Sequence, residues 1–220
     1  MLVKRAHSRG LLLLVLHNLF LGSIGNNIQT GENFDGSLDL IKVVNTSEYL
    51  WLYCQTYSNA FEVSSGKNNF LVETTCIRRI KTGLSKEEYN FTEIDIMELT
   101  NIGGNYTGRF IYENNTKTYF TKSPTSMTVF QEGAKDPDYV TVLEYTDPDT
   151  YYCSVFTVYF LENKITDDFD KCEMYIRNSH LLMGPTQGCK EFFEKKCTGR
   201  WYKPYDTHCI NKGNENIFLK

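Results

Sequence analysis

Apolar and polar side chains alternate along much of the chain, and the first clear alternation covers residues 48–57, EYLWLYCQTY. Because successive side chains of a strand point to opposite faces, this period of two predicts a β-strand. One face carries Tyr49, Trp51, Tyr53, Gln55 and Tyr57, and the other carries Leu50, Leu52, Cys54 and Thr56. Both faces are largely apolar, which suits a strand covered outside and facing a lined interior. We expect the aromatic face to line that interior.

Further strand-like runs follow at short spacing, rich in Tyr, Phe, Thr, Val and Ile. They cover residues 69–80, 89–99, 106–113, 118–121, 126–131, 139–146, 151–160 and 172–178. Turn signals such as NIGGN, ENNT, KSP, EGAKDPD, TDPD and ENK separate them. About eight antiparallel strands with so few helical runs predict a closed barrel or a sandwich.

Two segments favour helices. Residues 34–44, FDGSLDLIKVV, are read as one short N-terminal helix. The segment TQGCKEFFEKKC spaces Cys189, Phe192, Phe193 and Lys196 three and four residues apart, and Gly199 is placed to end that helix. There is no internal repeat or linker, so one domain is expected over residues 26–220.

The first 25 residues have the order of a secretory signal peptide. Lys4, Arg5 and Arg9 precede an apolar run of 11 residues, and small residues follow at Ser23 and Gly25. A membrane anchor is the alternative, but the run is well short of the ~20 residues that span a bilayer. Cleavage leaves 20 basic and 27 acidic residues, a formal charge of −7. We therefore expect a secreted, extracellular protein that binds neither nucleic acid nor an anionic membrane.

The chain has seven cysteines, five of them between residues 153 and 209. Outside the cell they should be mostly paired, and the odd number leaves one free or bonded to another chain. A zinc site is the alternative, but the sequence has no C-x-x-C and the mature chain keeps only His180 and His208.

The sequons at Asn45, Asn90, Asn105 and Asn114 are candidate glycosylation sites that fit the same compartment.

The last quarter carries a resemblance to a known family. The pattern Cys189-x3-Phe193-x5-Gly199-Arg200-x8-Cys209 follows Tyr-Tyr-Cys at 151–153 and Cys-Glu-Met-Tyr at 172–175. This order resembles the salivary histamine-binding lipocalins of ticks, from the first predicted strand to Cys209. The resemblance implies an all-β, lipocalin-like eight-stranded antiparallel β-barrel, with a short N-terminal helix and a C-terminal helix packed outside the barrel. The G-x-W signature of many other lipocalins is absent, as is usual in that group.

The resemblance also implies two disulfides, Cys76–Cys209 and Cys153–Cys189. Alternation places Cys54 and Cys172 outside if the aromatic face lines the cavity. The C-terminal helix should then bring Cys197 back near Cys172, so we favour Cys172–Cys197 with Cys54 unpaired. Cys54–Cys172 is the alternative, since the first and last strands of a closed barrel are neighbours. A monomer is expected, or a disulfide-linked dimer through Cys54.

The same family binds amines with inward carboxylates and aromatic walls. Glu173 matches its acid on the final strand, and the expected aromatic wall consists of Tyr57, Trp51, Tyr53 and Phe130 or Tyr139. Four other family acids correspond to Asn45, Ala60, Thr141 and Ser154, and Glu113 is the nearest candidate for a fifth. Arg78 and Arg79 could meet a ligand carboxylate, but they are adjacent, so one at most faces inward, and we expect either to be solvated.

Catalysis has little support in the sequence. Neither G-x-S-x-G nor H-E-x-x-H occurs, and His180 is read as an exposed polar residue, so we expect a binding protein without a cofactor rather than an enzyme. The first hypothesis is a secreted salivary carrier that sequesters a small host mediator, histamine or serotonin, and so suppresses host defence. The others are a carrier of leukotrienes or fatty acids and a protein-binding inhibitor of complement or clotting.

Overall fold

The computed structural model describes residues 38–65, 68–97, 100–112, 123–161 and 171–213. Within these ranges nine antiparallel strands form a sheet whose hydrogen-bonded order is β1-β9-β8-β7-β6-β5-β4-β3-β2. The strands are β1 (Leu50–Gln55), β2 (Ala60–Ser65), β3 (Asn68–Leu84), β4 (Glu88–Met97), β5 (Thr100–Ile111), β6 (Ser126–Gln131), β7 (Tyr139–Thr146), β8 (Cys153–Phe160) and β9 (Lys171–Arg177). The helices are α1 (Leu40–Val44), a 3₁₀ helix (Asn178–Met183), α2 (Gln187–Lys196) and α3 (His208–Gly213).

The sheet closes on itself because β1 pairs with β9 along one edge and with β3 along the other. β2 pairs with the first part of β3 and lies outside this ring. The closed part is therefore the eight-stranded antiparallel β-barrel that was predicted. The seam between β1 and β3 is short, with Leu50 opposite Arg79 and Trp51 opposite Arg78.

The tail covers the rest of the seam. The backbones of Gln55 and Tyr202 exchange two hydrogen bonds of 2.9 and 2.8 Å, and the amide of Cys76 donates to the carbonyl of Pro204. The disulfide Cys76–Cys209 fixes this arrangement and closes a separation of 133 residues. On the chain-entropy model such a loop contributes ~4–5 kcal/mol of stability.

Several predicted strands agree with the structure, and 126–131 and 139–146 agree at both ends. The prediction of a turn at NIGGN is wrong, since β5 begins at Thr100 and Gly103 lies opposite Ile94 of β4. Ten consecutive backbone pairs there outweigh the low strand propensity of glycine. β2 was not predicted, because its exposed side chains show no burial-driven alternation. The predicted strand at 118–121 lies outside the described residues.

Apolar side chains form two layers, one inside the barrel and one outside. The inner layer includes Leu50, Leu52, Tyr89, Phe91, Val129, Leu143, Phe156 and Tyr175. The outer layer packs α2 and the tail against β1, β8 and β9, and it includes Trp51, Cys54, Val155, Met174, Phe192, Phe193 and Tyr205. The prediction that the aromatic face of β1 lines the interior is thus wrong at Trp51. When both faces of a strand are apolar, alternation alone does not say which one is inside.

The N-terminal helix α1 contributes Leu40, Val43 and Val44 to the inner layer. Asp39 caps its start, and Arg177 donates to the carbonyl oxygens of Lys42 and Val43 at its end. These contacts lie at the end of the barrel where β1 begins and β9 ends. The opposite end, where β1 ends and β9 begins, holds the cavity described below.

The C-terminal helix α2 lies outside the barrel, as expected. The Thr186 side chain accepts a hydrogen bond from the amide of Cys189 at its start, while Phe192 and Phe193 are buried. The helix ends at Lys196 with Cys197 as its cap, so Gly199 does not end it; Gly199, with φ of 103°, turns the chain after it.

Three disulfides join the helix and tail to the barrel: Cys76–Cys209, Cys153–Cys189 and Cys172–Cys197. Cys54 is free and buried in the outer layer. Burial raises the pKa of its thiol to about 11. A thiol with this environment does not reach a second chain, which argues against a dimer through Cys54. Among the described helices, none has the length and apolar character needed to cross a bilayer.

Candidate ligand-binding site

Arg79 lies at the centre of the open end of the barrel. A register shift in β3 between Thr75 and Arg78 turns Arg79 inward, where it is 7% exposed. Its Nε donates to Glu93 Oε2 at 2.7 Å, and its Nη2 donates to Tyr139 Oη at 3.1 Å. The guanidinium also lies over the rings of Phe91 and Tyr175, 5.1 and 4.6 Å from their centroids. Arg79 is therefore held on several sides by the protein itself.

The expectation that both arginines are solvated is wrong. Arg78 is completely buried, but on the outer side of the wall, with its guanidinium over the rings of Tyr49 and Trp51. Its Nη1 donates to the Cys76 carbonyl at 3.0 Å. One arginine faces inward and the other outward, as their adjacent positions on a strand require.

Glu173 enters the same space from β9 and is 3% exposed. The Tyr57 hydroxyl donates a hydrogen bond to Glu173 Oε1. The second oxygen, Oε2, lies 3.8 Å from Arg79 Nη2, which is an ion pair without a hydrogen bond. Burial raises the pKa of Glu173, and the Arg79 charge and the nearby hydroxyls of Tyr57 and Tyr175 oppose that shift.

Gln55 lies directly opposite Glu173 in the pairing of β1 with β9 and is 1% exposed. Its Nε2 donates to the Tyr57 carbonyl at 2.8 Å, which fixes the side chain. Its Oε1 is buried and receives no hydrogen bond within the described part of the chain, and the same is true of Glu173 Oε2. Two neighbouring buried acceptors thus have unused lone pairs, which is uncommon in folded proteins.

These groups line a cavity of about 220 Å³. Its aromatic wall consists of Tyr57, Phe61, Tyr139, Phe160 and Tyr175. Phe160 packs edge-on against Tyr57, with ring centroids 5.4 Å apart, and lies 5.9 Å from Tyr139. Burial raises the pKa values of the Tyr57, Tyr139 and Tyr175 hydroxyls, so they remain neutral donors and acceptors. The ionic groups on this wall are one guanidinium and two carboxylates, those of Arg79, Glu93 and Glu173.

Of the six predicted ligand-binding residues, the structure brings together Glu173, Tyr57 and Tyr139. Trp51 and Tyr53 lie outside the barrel wall, where both rings pack against Tyr205. The reason is a bulge between Leu52 and Cys54, which inserts one residue into β1. It reverses the alternation, so Trp51 points outward while Gln55 and Tyr57 point inward.

Phe130 is also outside the cavity, under the Arg109 guanidinium at 4.7 Å. The inward residues of β6 are its neighbours Met127 and Val129. Among the positions aligned with family acids, Ala60 lies on the cavity wall, whereas Glu113 is outside the described residues. Asn45 accepts a hydrogen bond from Lys81, and Ser154 is bonded to Thr146.

Sequence reasoning did not name Gln55 or Glu93 as site residues, although it placed Gln55 on the face expected to line the interior, and it expected Arg79 to be solvated. A signal for Glu93 exists, because it continues the inward stripe of Tyr89 and Phe91 along β4. An acid in register with two large aromatic residues is unusual for a plain core strand. Across the described chain, His, Cys, Asp and Glu side chains form no cluster suited to a metal ion.

Comparison with known proteins supports the fold. No family model and no curated protein matches the chain. A solved structure of AM182 in complex with serotonin superposes with a TM-score of 0.51 at 15% identity, covering 82% of this chain and 97% of that one. Japanin from Rhipicephalus appendiculatus, bound to cholesterol, gives 0.47 at 10% identity, covering 76% and 97%. The closed eight-stranded barrel with its few short helices is a lipocalin-like fold.

Proposed function

We propose that the protein is a secreted carrier that binds a small biogenic amine, of the histamine or serotonin class, in the open end of its barrel. The observation that carries this proposal is the pair of neighbouring buried acceptors, Gln55 Oε1 and Glu173 Oε2. An ammonium group carries three hydrogen-bond donors and no acceptor, so it complements both oxygens at once.

The charge of the cavity favours a cationic ligand. Glu93 and Glu173 bring two negative charges and Arg79 brings one positive charge. A buried carboxylate without a full counter-charge is costly, and a bound ammonium removes that cost. The rings of Tyr57, Tyr139, Phe160 and Tyr175 offer faces that attract a cation or stack on an aromatic ligand.

The sequence resemblance supports the same ligand class, and one protein with a similar barrel was solved with a member of that class. AM182 was solved with serotonin, and this chain has a similar barrel at 15% identity. The family resemblance of the last quarter adds the biological setting, in which a salivary protein removes a host mediator and so suppresses host defence. Secretion follows from the predicted signal peptide at residues 1–25, which lies outside the described residues.

A carrier of leukotrienes or fatty acids fits the cavity less well. Such a ligand needs a free cation for its carboxylate, and Arg79 is already bonded to Glu93 and faces Glu173. A third carboxylate, brought by the ligand, would be repelled by Glu93 and Glu173. The volume of about 220 Å³ also lies below the ~300–1,000 Å³ typical of pockets for larger ligands.

A protein-binding role has one specific observation in its favour. The β2–β3 hairpin outside the ring exposes large apolar side chains, namely Phe61 at 44%, Phe70 at 51% and Leu71 at 73%. Exposed apolar patches on secreted domains often serve as contact surfaces. This second candidate predicts that charged replacements at Phe70 and Leu71 abolish inhibition of a complement or clotting assay without affecting amine binding.

The deciding experiment is a titration of the glycosylated, secreted protein with histamine, serotonin and a leukotriene, followed by calorimetry and native mass spectrometry. We expect one of the amines to bind with one-to-one stoichiometry and the leukotriene to bind weakly. Saturable binding of the leukotriene alone would support the lipid carrier. The absence of any small-molecule binding would support the protein-binding role.

A further inference from the structure

We infer that Arg79 sets the charge of the ligand, so that the cavity selects molecules with a single positive charge and rejects dications. This inference rests on the proposed amine binding and adds a selectivity to it. Arg79 is a cation that belongs to the protein and pairs with Glu93, so only Glu173 remains to pair with a positive charge on the ligand.

The first step is that Arg79 is a fixed part of the site. Glu93 is its direct cross-strand partner on β4, and the two side chains are joined at 2.7 Å. Tyr139 holds the other end of the guanidinium, and the rings of Phe91 and Tyr175 cover it. A guanidinium with these contacts has no solvated alternative position within reach, so a ligand meets it in place.

The second step is that Arg79 neutralises Glu93 much more completely than Glu173. The contact to Glu93 is a charge-assisted hydrogen bond, whereas Arg79 Nη2 and Glu173 Oε2 are 3.8 Å apart. Glu173 is also the carboxylate that lies beside the free oxygen of Gln55. Glu173 is therefore the carboxylate that can still accept a hydrogen bond from a ligand, and its negative charge is the one that remains to be balanced.

The third step is the charge balance of the occupied site. A ligand with one ammonium brings the total of Arg79, Glu93, Glu173 and ligand to zero. A ligand with two ammonium groups leaves one positive charge unpaired beside the Arg79 guanidinium, among side chains that are largely buried. Unpaired charges in such surroundings are strongly disfavoured, and like charges side by side add to the cost.

The test compares 3-methylbenzylamine with m-xylylenediamine, which share a ring and differ by one ammonium group. Affinities are measured by calorimetry near neutral pH, where both probes are protonated. The wild-type protein should bind the monoamine at least about tenfold more tightly than the diamine. Arg79→Met should reverse that order, because it leaves two uncompensated carboxylates. Arg109→Met, an exposed arginine with 63% side-chain exposure, removes the same charge far from the cavity and should leave the ratio unchanged.

Arg79 is buried, so the fold of each variant is checked by circular dichroism. Glu93→Gln provides a second test that does not depend on Arg79→Met folding, because it brings the empty site to zero net charge. Glu93→Gln should lower the affinity for the monoamine by about tenfold or more, even though the ammonium group binds at Glu173 and not at Glu93. An unchanged monoamine-to-diamine ratio in Arg79→Met, or full monoamine affinity in Glu93→Gln, would overturn the inference and leave amine binding intact. A wild-type protein that binds neither probe, nor histamine or serotonin, would overturn the proposed function itself.

Discussion

Gln55 and Glu173 lie opposite each other in the β1–β9 pair, at the same end of the barrel. Each has a buried side-chain oxygen that accepts no hydrogen bond from the described residues. Their juxtaposition depends on the bulge between Leu52 and Cys54, because an unbroken β1 would turn Gln55 outward with Trp51. A one-residue irregularity in the first strand therefore creates the acceptor pair on which amine binding is proposed to rest.

Replacing Glu173 by Gln should weaken the binding of histamine or serotonin by about two orders of magnitude or more, since removing one member of a desolvated charge pair costs on the order of 3–5 kcal/mol. Calorimetry of the variant checks this. Glu132→Gln, at an exposed turn, is the matched control and should bind normally. Unaltered affinity in Glu173→Gln would show that the carboxylate is only structural.

Replacing Gln55 by Leu should weaken amine binding by roughly ten- to a hundredfold, because a hydrogen bond to a charged group contributes about 1.5–3 kcal/mol. The size of the side chain is nearly kept, so the loss of stability should be limited to the hydrogen bond from Gln55 Nε2 to the Tyr57 carbonyl, about 0.5–1.5 kcal/mol. The comparison of calorimetric affinity with thermal unfolding separates the two effects. A large loss of stability with normal affinity would assign Gln55 to the fold alone.

The stability of the unliganded protein should fall as the pH rises through the pKa of Glu173. Burial raises that pKa above its ordinary value, so the folded chain holds this proton where the unfolded chain has lost it. Glu173 thus contributes to stability at pH values below its pKa in the unfolded chain. This contribution is lost as the pH rises through its higher pKa in the folded chain. Thermal unfolding across this pH range should show that the stability of the wild type falls with rising pH, and that the stability of Glu173→Gln falls less. At neutral pH, Glu173→Gln should therefore be more stable than the wild type. Identical pH profiles would contradict the assignment.

Amine affinity should have the opposite pH dependence, since the ammonium needs the ionised carboxylate. Binding should weaken in acid as Glu173 is protonated, while the neighbouring tyrosine hydroxyls stay neutral because burial raises their pKa values. A calorimetric series from mildly acidic to neutral pH measures the effect. Affinity that does not change over this interval would mean that Glu173 is not the counter-charge.

Alkylation of the native protein without reductant should modify no cysteine, and alkylation after unfolding should modify Cys54 alone. The thiol is buried and burial raises its pKa to about 11, so little thiolate forms near neutral pH. Peptide mapping should recover Cys76 with Cys209, Cys153 with Cys189 and Cys172 with Cys197. Cys76 linked to any other partner would contradict the fold.

Secretion from a eukaryotic cell should give a protein that starts near Asn26 and loses mass on enzymatic deglycosylation. Asn45 and Asn105 are exposed and should carry glycans, whereas Asn90 is half-buried. Glycopeptide mapping should therefore find lower occupancy at Asn90. The sequon at Asn114 lies outside the described residues and stays a prediction.

The barrel was predictable from the sequence because its strands bury at least one face, and burial imposes the alternation that sequence reasoning reads. The position of Glu173 could also be inferred, since it follows the outward Cys172 on a regular strand. The orientation of Trp51, Tyr53 and Arg79 could not. Each depends on a register shift in β1 or β3, and an inserted residue leaves no mark in the composition of a strand.

The seam between β1 and β3 has a further consequence for a carrier. Beyond Trp51 the strand β1 leaves β3, and on that side the backbone of Gln55 bonds to Tyr202 of the tail instead of to β3. The tail is in turn tethered by Cys76–Cys209. The cavity wall at Gln55 thus includes residues from the end of the chain, and one disulfide holds them in place. If the cavity holds a ligand, its retention therefore depends on a bond that is kept formed by oxidising surroundings.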